Sequence, residues 1–232
     1  MAAKVKNLDQ IGKFENPERY YVADFVRRSA KKISAGSSIL DAGAGECVYK
    51  KYFDHCKYTS TDYCVGDGEW DYSKIDIVCK LSEIPIADES FDNVLCTQTL
   101  EHVPNPDDVL KELSRVTKKG GKLFLTVPLF HAEHQIPYDF YRYTQYGLKY
   151  LLEKNSFEIE KIENGGGYLL VSAHFLKHMP ALIFKNKYLF FIKWPMLVLT
   201  NLLYKLFILL DDNNVGRKNA PTFNYLVTAV KK

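Results

Sequence analysis

The chain has 232 residues, 47% of them apolar and 25% charged, enough to bury a sizeable core in one domain. Its 31 basic and 28 acidic side chains leave a net charge of +3, too small and too scattered to mark a nucleic-acid surface, so no nucleic-acid partner is expected. Cys47, Cys56, Cys64, Cys79 and Cys96 form no C-x-x-C pair and fall on or beside strand-like segments, which argues against a disulfide framework and for reduced core thiols in a cytoplasmic protein. The first residues show no apolar core of a secretory leader, and none is expected.

NPERYYVADFVRRSAKKI, residues 16–33, sets Tyr20, Tyr21, Phe25 and Val26 at helical spacing behind an Asn-Pro start, and Gly-Ser-Ser then stops it. SILDAGAGECVY, residues 38–49, is an apolar run that reaches an acid and breaks into two glycines one residue apart. It reads as a strand entering a sharp turn, with ECVYKKYF as a helix behind it. KYTSTDY, KIDIVCK and FDNVLCTQ read as strands two to four. NPDDVLKELSRVTKKGG reads as a capped helix ended by Gly120 and Gly121, and KLFLTVP as a fifth strand. TQYGLKYLL follows as a helix behind a Thr144 cap, then FEIEKIEN as a sixth strand and FNYLVTAVKK as the last. Short apolar strands alternating with helices predict an α/β, doubly wound, Rossmann-like sheet covered on both faces, in a single domain over residues 1–232. Such sheets bind ligands outside the carboxyl ends of their strands.

The first turn limits what that ligand is. Gly43 and Gly45 let the chain turn sharply and let a ligand approach bare backbone. A dinucleotide fingerprint wants a third glycine, and Val48 stands there instead. Asp41, just before the glycines, would repel a pyrophosphate but suits an ammonium or sulfonium charge. Asp62, ending the second strand, is placed to accept ribose hydroxyls. Two acids, two glycines and no phosphate cradle point to S-adenosylmethionine. Cys96, Thr97 and Gln98 end the fourth strand, where the transferred group is expected, with Gln98 nearest. Glu101 and His102 of TLEHV read equally as contacts of that site or as polar residues starting a helix.

Joined in order to IPIADESFDNVLCTQTLEHVPNPDDVLKELSRVTKKGGKLFLTVP, the Asp-x-Gly-x-Gly turn makes the stretch from Ile39 to Pro128 resemble the class I S-adenosylmethionine-dependent methyltransferases, in the branch called methyltransferase type 11. The resemblance implies a seven-stranded, mostly parallel sheet with one antiparallel strand. It assigns Asp41, Gly43 and Gly45 to the methionine end of the cofactor and Asp62 to its ribose. Many relatives carry an acid facing the adenine amino group four residues before the Ile-Pro-Ile; this chain has Lys80, so adenine is expected to rest on the backbone and side chains around Leu81.

A second cluster, residues 130–152, crowds His131, His134, Asp139, Tyr141, Arg142 and Tyr143 into a loop at the carboxyl edge. His131 and His134, with His102 behind them, are the candidate general bases for a hydroxyl acceptor. Asp139, Tyr141 and Arg142 are the candidate substrate wall, although an Asp139–Arg142 pair would equally brace the loop. His131 and His134 have no third metal ligand at a suitable spacing, and no metal is expected. The H-P-x-D-F-Y-R-Y-T-like run resembles bacterial relatives often placed near surface-polysaccharide genes, which implies a sugar or glycolipid acceptor; another small molecule stays open.

Residues 164–221, between the last two strands, are too long for a loop and form an apolar helical insertion. Its stretch 188–212 is as long as a bilayer span, but Lys193, Pro195, Asn201 and Lys205 interrupt it. A span would also strand the last β-segment across the membrane from its sheet. The insertion therefore reads as an apolar cap, a homodimer surface or a peripheral contact at the inner face of a membrane. Two other functions stay open at this point: a non-catalytic S-adenosylmethionine-binding module, and a nicotinamide-dependent oxidoreductase, which Val48 and Asp41 disfavour.

Overall fold

A computed structural model of the chain describes residues 12–66, 70–183, 190–211 and 221–232. Asn16 starts the first helix, α1 (Pro17–Ala30), by accepting from the Arg19 amide at 3.0 Å, with Pro17 in the first turn where a missing N–H costs nothing. Six further elements follow: β1 (Ser38–Ala42), β2 (Lys57–Asp62), β3 (Ile77–Val78), β4 (Phe91–Thr97), α2 (Pro106–Val116) and β5 (Thr117–Pro128). The chain continues through α3 (Gln145–Lys154), β6 (Phe157–Gly165), α4 (Tyr168–Ile183), α5 (Phe190–Asp211) and β7 (Asn224–Lys231).

The strands form one sheet in the order β3-β2-β1-β4-β5-β7-β6, parallel except for β7, which runs antiparallel to both β5 and β6. Its two faces carry separate cores. Val22, Phe25 and Val26 of α1 meet Ile39, Leu95, Phe124 and Leu226 on one face. On the other, Leu110 and Leu113 of α2 and Leu148 and Leu152 of α3 cover Leu40, Val94, Leu123 and Leu125. Burial on both faces is why these strands read as continuous apolar runs rather than alternating ones.

Three local expectations are corrected. ECVYKKYF is not an α-helix: Cys47 takes a left-handed backbone (φ 54°), which no α-helix accommodates, and only a short 3-10 turn over Lys50–Phe53 follows. The site therefore has no α-helix N-terminus behind its glycine turn. The helix before β5 ends at Val116 rather than at the glycines, because Thr117 is already extended and its hydroxyl donates to the Leu113 carbonyl at 2.6 Å. Gly120 and Gly121 instead lie inside β5, beside a register shift against β4. The third strand shrinks to Ile77–Val78, as befits a sheet edge.

The expected insertion is a pair of helices. Buried Asp211, at the end of α5, accepts the Gly167 amide at 2.7 Å and the Leu170 amide at 3.1 Å, so the far end of α5 caps the start of α4. Leu170, Ala173, Tyr204, Ile208 and Phe223 make their own small core beneath the pair. Residues 184–189 and 212–220, parts of the expected insertion that include the 188–189 and 212 ends of the long apolar stretch, lie outside the described residues. Asp211→Ala leaves two buried amides unpaired and is expected to lower stability by about 1–3 kcal/mol, with Asp211→Asn recovering part of it. Chemical denaturation of the three proteins checks this; equal midpoints would show that the pair is not fastened there.

Candidate functional site

The carboxyl ends of β1, β2 and β4 meet at one edge, and each delivers residues singled out from sequence. Asp41 is fully buried. Tyr58 donates to its Oδ2 at 2.6 Å, while Oδ1 has no partner among the described residues. Burial pushes the Asp41 carboxyl up to about 7, with the Tyr58 bond opposing and the nearby Asp62 charge adding to the rise. An orphaned buried acceptor just before a glycine turn fits a cationic group of a ligand.

Gly43 and Gly45 both have left-handed backbones (φ 79° and 54°). A Cβ on Gly43 would collide with the Thr99 side chain, and one on Gly45 would lie 2.6 Å from the Trp70 ring. Asp62 ties the turn to β2, accepting the Gly45 amide at 2.9 Å through Oδ2 and the Cys64 amide at 2.7 Å through Oδ1. Each carboxylate oxygen keeps a second lone pair, which leaves room for a ribose hydroxyl. Leu81 is buried beside this corner, and Lys80 Nζ lies 5.7 Å from the ring centroid of the half-exposed Tyr63. Tyr63, Trp70 and Thr99 were not singled out from sequence. Adjacency to Asp62 and to Gln98 was a signal for Tyr63 and Thr99; Trp70, in a loop, gave none.

At the end of β4, Gln98 is held in a left-handed conformation (φ 50°), its amide on the Thr126 carbonyl at 2.9 Å and its Nε2 on Thr126 Oγ1 at 3.1 Å. Such a backbone is rare for a residue other than glycine, and it points Gln98 away from strand geometry at the strand end. Glu101 and His102 then sit on a 3-10 turn, Leu100–His102. Glu101 faces inward: its side chain is fully buried, neither oxygen has a partner among the described residues, and burial pushes its carboxyl up to about 8. It does not start a solvated helix.

The loop after β5 folds back over this turn. The Phe140 and Tyr141 amides donate to the Glu101 carbonyl at 2.9 and 3.3 Å. Asp139 and Arg142 form a two-pronged pair at 2.6 and 2.7 Å, and Arg142 also donates to the carbonyls of His131, Ala132 and Tyr141. Burial would raise the Asp139 carboxyl, but Arg142 and the His134 amide hold it at about 2. The pair is thus committed to the loop, and the Tyr141 hydroxyl donates to the Pro104 carbonyl at 2.9 Å. His102, His134 and His131 line up beneath, with ring centroids 4.7 and 4.5 Å apart.

Their environments differ. Burial lowers His102, and burial together with the neighbouring imidazoles lowers His134, so both are neutral near pH 7. His131 is raised by Glu18, whose Oε2 lies 3.3 Å from its Nε2, while the other Glu18 oxygen lies 3.3 Å from His174 of α4. Burial would raise Glu18, but the two histidines hold it at about 2. One carboxylate of α1 thereby clasps the loop to the helical pair.

Residues 40–125 match the family model described as a methyltransferase domain. The ubiquinone biosynthesis O-methyltransferase of Pseudomonas entomophila (strain L48) is 28% identical over 106 residues, 40% of this chain and 44% of that enzyme. The sarcosine/dimethylglycine N-methyltransferase of Halorhodospira halochloris is 28% identical over 134 residues, 49% of this chain and 48% of the enzyme. The chain thus spans less than half the length of these curated relatives. Among solved structures, the Burkholderia thailandensis 1,6-didemethyltoxoflavin-N1-methyltransferase, with S-adenosylhomocysteine bound, superposes with a TM-score of 0.55 at 16% identity, covering 94% of this chain and 79% of that one.

The Glu18 clasp has a pH window. Glu18 is depressed from its ordinary 4.5 to about 2, so its contribution is complete above about 4.5 and fades as pH falls towards 2. His131 is raised above its ordinary 6.5, so its contribution is complete below 6.5 and fades as pH rises through its folded midpoint. Glu18→Gln is expected to lower the His131 midpoint in an NMR titration and to cost most stability between about pH 4.5 and 6.5. An unchanged His131 midpoint would refute the clasp.

Proposed function

Because the chain belongs to the class I S-adenosylmethionine-dependent methyltransferases, in the type 11 branch, we propose that it transfers a methyl group in line to a small-molecule, sugar or glycolipid acceptor. The observation that carries this reading is the convergence of orphaned Asp41, the left-handed Gly43–Gly45 turn and Asp62 beside the end of β4. S-adenosylmethionine, when bound, supplies a methyl group already activated on a sulfonium. The protein's work is then to position the acceptor and exclude water. Asp41 faces the methionine end, Asp62 the ribose, and Leu81 with its surroundings the adenine. Gln98 borders the transferred group. Asp139, Arg142 and Tyr141 form the acceptor wall, the first two by holding its shape. His134 and His102, neutral near pH 7, are better suited to take a hydroxyl proton than His131, which Glu18 keeps charged further up the scale.

The same reading extends to the helical pair, an inserted element of a single domain over 1–232. Phe175 and Leu182 of α4, with Phe191, Trp194, Leu202 and Leu209 of α5, are all more than half exposed, and such a patch marks a partner or a bilayer. From residue 164 to 210 the chain carries Lys177, Lys185, Lys187, Lys193 and Lys205 and no acid, which favours an anionic lipid surface at the cytoplasmic face and an acceptor carried on or near it. A homodimer through this face is the competing outcome.

Two measurements test these readings. S-adenosylmethionine and S-adenosylhomocysteine are expected to bind in the micromolar range, about 8 kcal/mol. Asp62→Ala is expected to weaken both by about 1–3 kcal/mol through lost charge-assisted hydrogen bonds. Tight binding of NAD and none of the sulfonium ligand, by calorimetry, would overturn the assignment. Sedimentation with anionic liposomes, weakening at high salt, is the expected result for the helical pair; a concentration-dependent dimer that ignores liposomes would replace membrane contact with self-association.

A further inference from the structure

We propose that Glu101, His102 and His134 form a divalent-cation site at the end of β4. The three residues bring one possible ligand atom each within 4.8 Å of the others, and His102 Nε2 lies 3.7 Å from Glu101 Oε1. Two donors at about 2.1 Å from one ion stand roughly 3.0 to 4.2 Å apart, depending on the angle between them. The Glu101–His102 spacing falls in that range, and His134, partly exposed on the loop after β5, completes the trio within 4.8 Å.

The unpaired atoms all have the same character. Both Glu101 oxygens and His102 Nε2 are buried with no partner among the described residues. His102 Nδ1 lies 2.7 Å from the Tyr138 carbonyl, which only accepts, so the proton is on Nδ1 and Nε2 offers a bare lone pair. His134 Nδ1 faces two further acceptors, the Ala132 carbonyl at 3.2 Å and Asp139 Oδ2 at 3.3 Å, which likewise leaves its Nε2 bare. Arg142 Nη2, 3.5 Å from that Nδ1, is already engaged by Asp139 and the Ala132 carbonyl. An ion that displaces the Glu101 proton meets only lone pairs and satisfies all three residues, which no partner among the described residues does for Glu101 or for His102 Nε2. Two imidazoles and a carboxylate, each imidazole oriented through its other nitrogen by a carbonyl, make a donor set suited to a first-row divalent ion with open positions.

The expectation of no metal rested on the lack of a third ligand at a suitable spacing from His131 and His134. The fold supplies the missing ligands from another strand end: the Glu101 carbonyl accepts two amides of the loop that carries His134, which ties the halves of the site together. On the proposed methyl-transfer reading, an ion here would hold an acceptor hydroxyl beside Gln98 and lower its pKa so that its proton leaves to solvent, with His102 and His134 serving as ligands instead of as proton acceptors, which narrows the acceptor to an oxygen nucleophile. Ion binding itself does not depend on that reading.

The test uses the full chain stripped with chelator, titrated with Mn²⁺ and followed by the resonance of the free ion, with Zn²⁺ as competitor. Saturable Mn²⁺ binding that Zn²⁺ displaces, weakened about tenfold or more by Glu101→Gln and by His134→Asn, is the expected result. Wild-type protein that holds neither ion more tightly than the double variant would overturn the site. Should Glu101→Gln fail to fold by circular dichroism, His134→Asn, on a partly exposed loop, decides the matter. Calorimetry with S-adenosylhomocysteine is run in parallel. Normal binding without Mn²⁺ sinks this proposal alone, while Mn²⁺ binding without cofactor affinity sinks the methyltransferase reading alone.

Discussion

The site depends on the pairing of β4 between β1 and β5. All three strands are parallel and buried on both faces, so their polar turns emerge together at one edge. Register does the rest. Asp41 pairs opposite Leu95, and Thr97 opposite Thr126, so the glycine turn after β1 and the Gln98–His102 run after β4 leave the sheet side by side. Thr99 fills the space that a side chain on Gly43 would need, and its hydroxyl lies 3.3 Å from the Gly43 carbonyl. A one-residue slip of β4 would turn Val94 and Cys96 off their core face and carry Gln98 away from the turn.

Two buried acids mark where this arrangement is incomplete without a ligand. Asp41 and Glu101 both lie fully buried, and both are raised first of all by burial. A structural acid in such a place normally finds a partner, as Asp139 finds Arg142 and Asp211 finds two amides of α4. Asp41 keeps one oxygen and Glu101 two with no partner among the described residues. The contrast separates acids that hold the fold from acids that await something bound.

Coupling between the site and the helical pair runs through α1. Glu18 meets His131 of the loop and His174 of α4, and His174 also packs edge-on against Phe223 just before β7. The apolar pair is therefore not a loose appendage: Asp211 closes it on itself, and Glu18 ties it to the loop after β5.

The sequence by itself determined the strand and helix order, the glycine turn with its two acids, the loop histidines and the apolar insertion, because each is written in local periodicity, turn chemistry or a contiguous motif. Even the Thr144 cap was legible, since its bond to the Gly147 amide spans three residues. What only the tertiary structure decided is which of these groups share a space. The inward turn of Glu101, the Trp70 ring over Gly45, the commitment of Asp139 and Arg142 to each other, and the Glu18 clasp all depend on packing between distant segments. The missing helix after Gly45 belongs with them: its residues favour a helix locally, but Cys47, buried with its Sγ 3.6 Å from the Lys74 carbonyl, has a left-handed backbone that no helix accommodates. Side-chain direction at a strand end is set by the neighbours the fold supplies, and no periodicity in the chain records them.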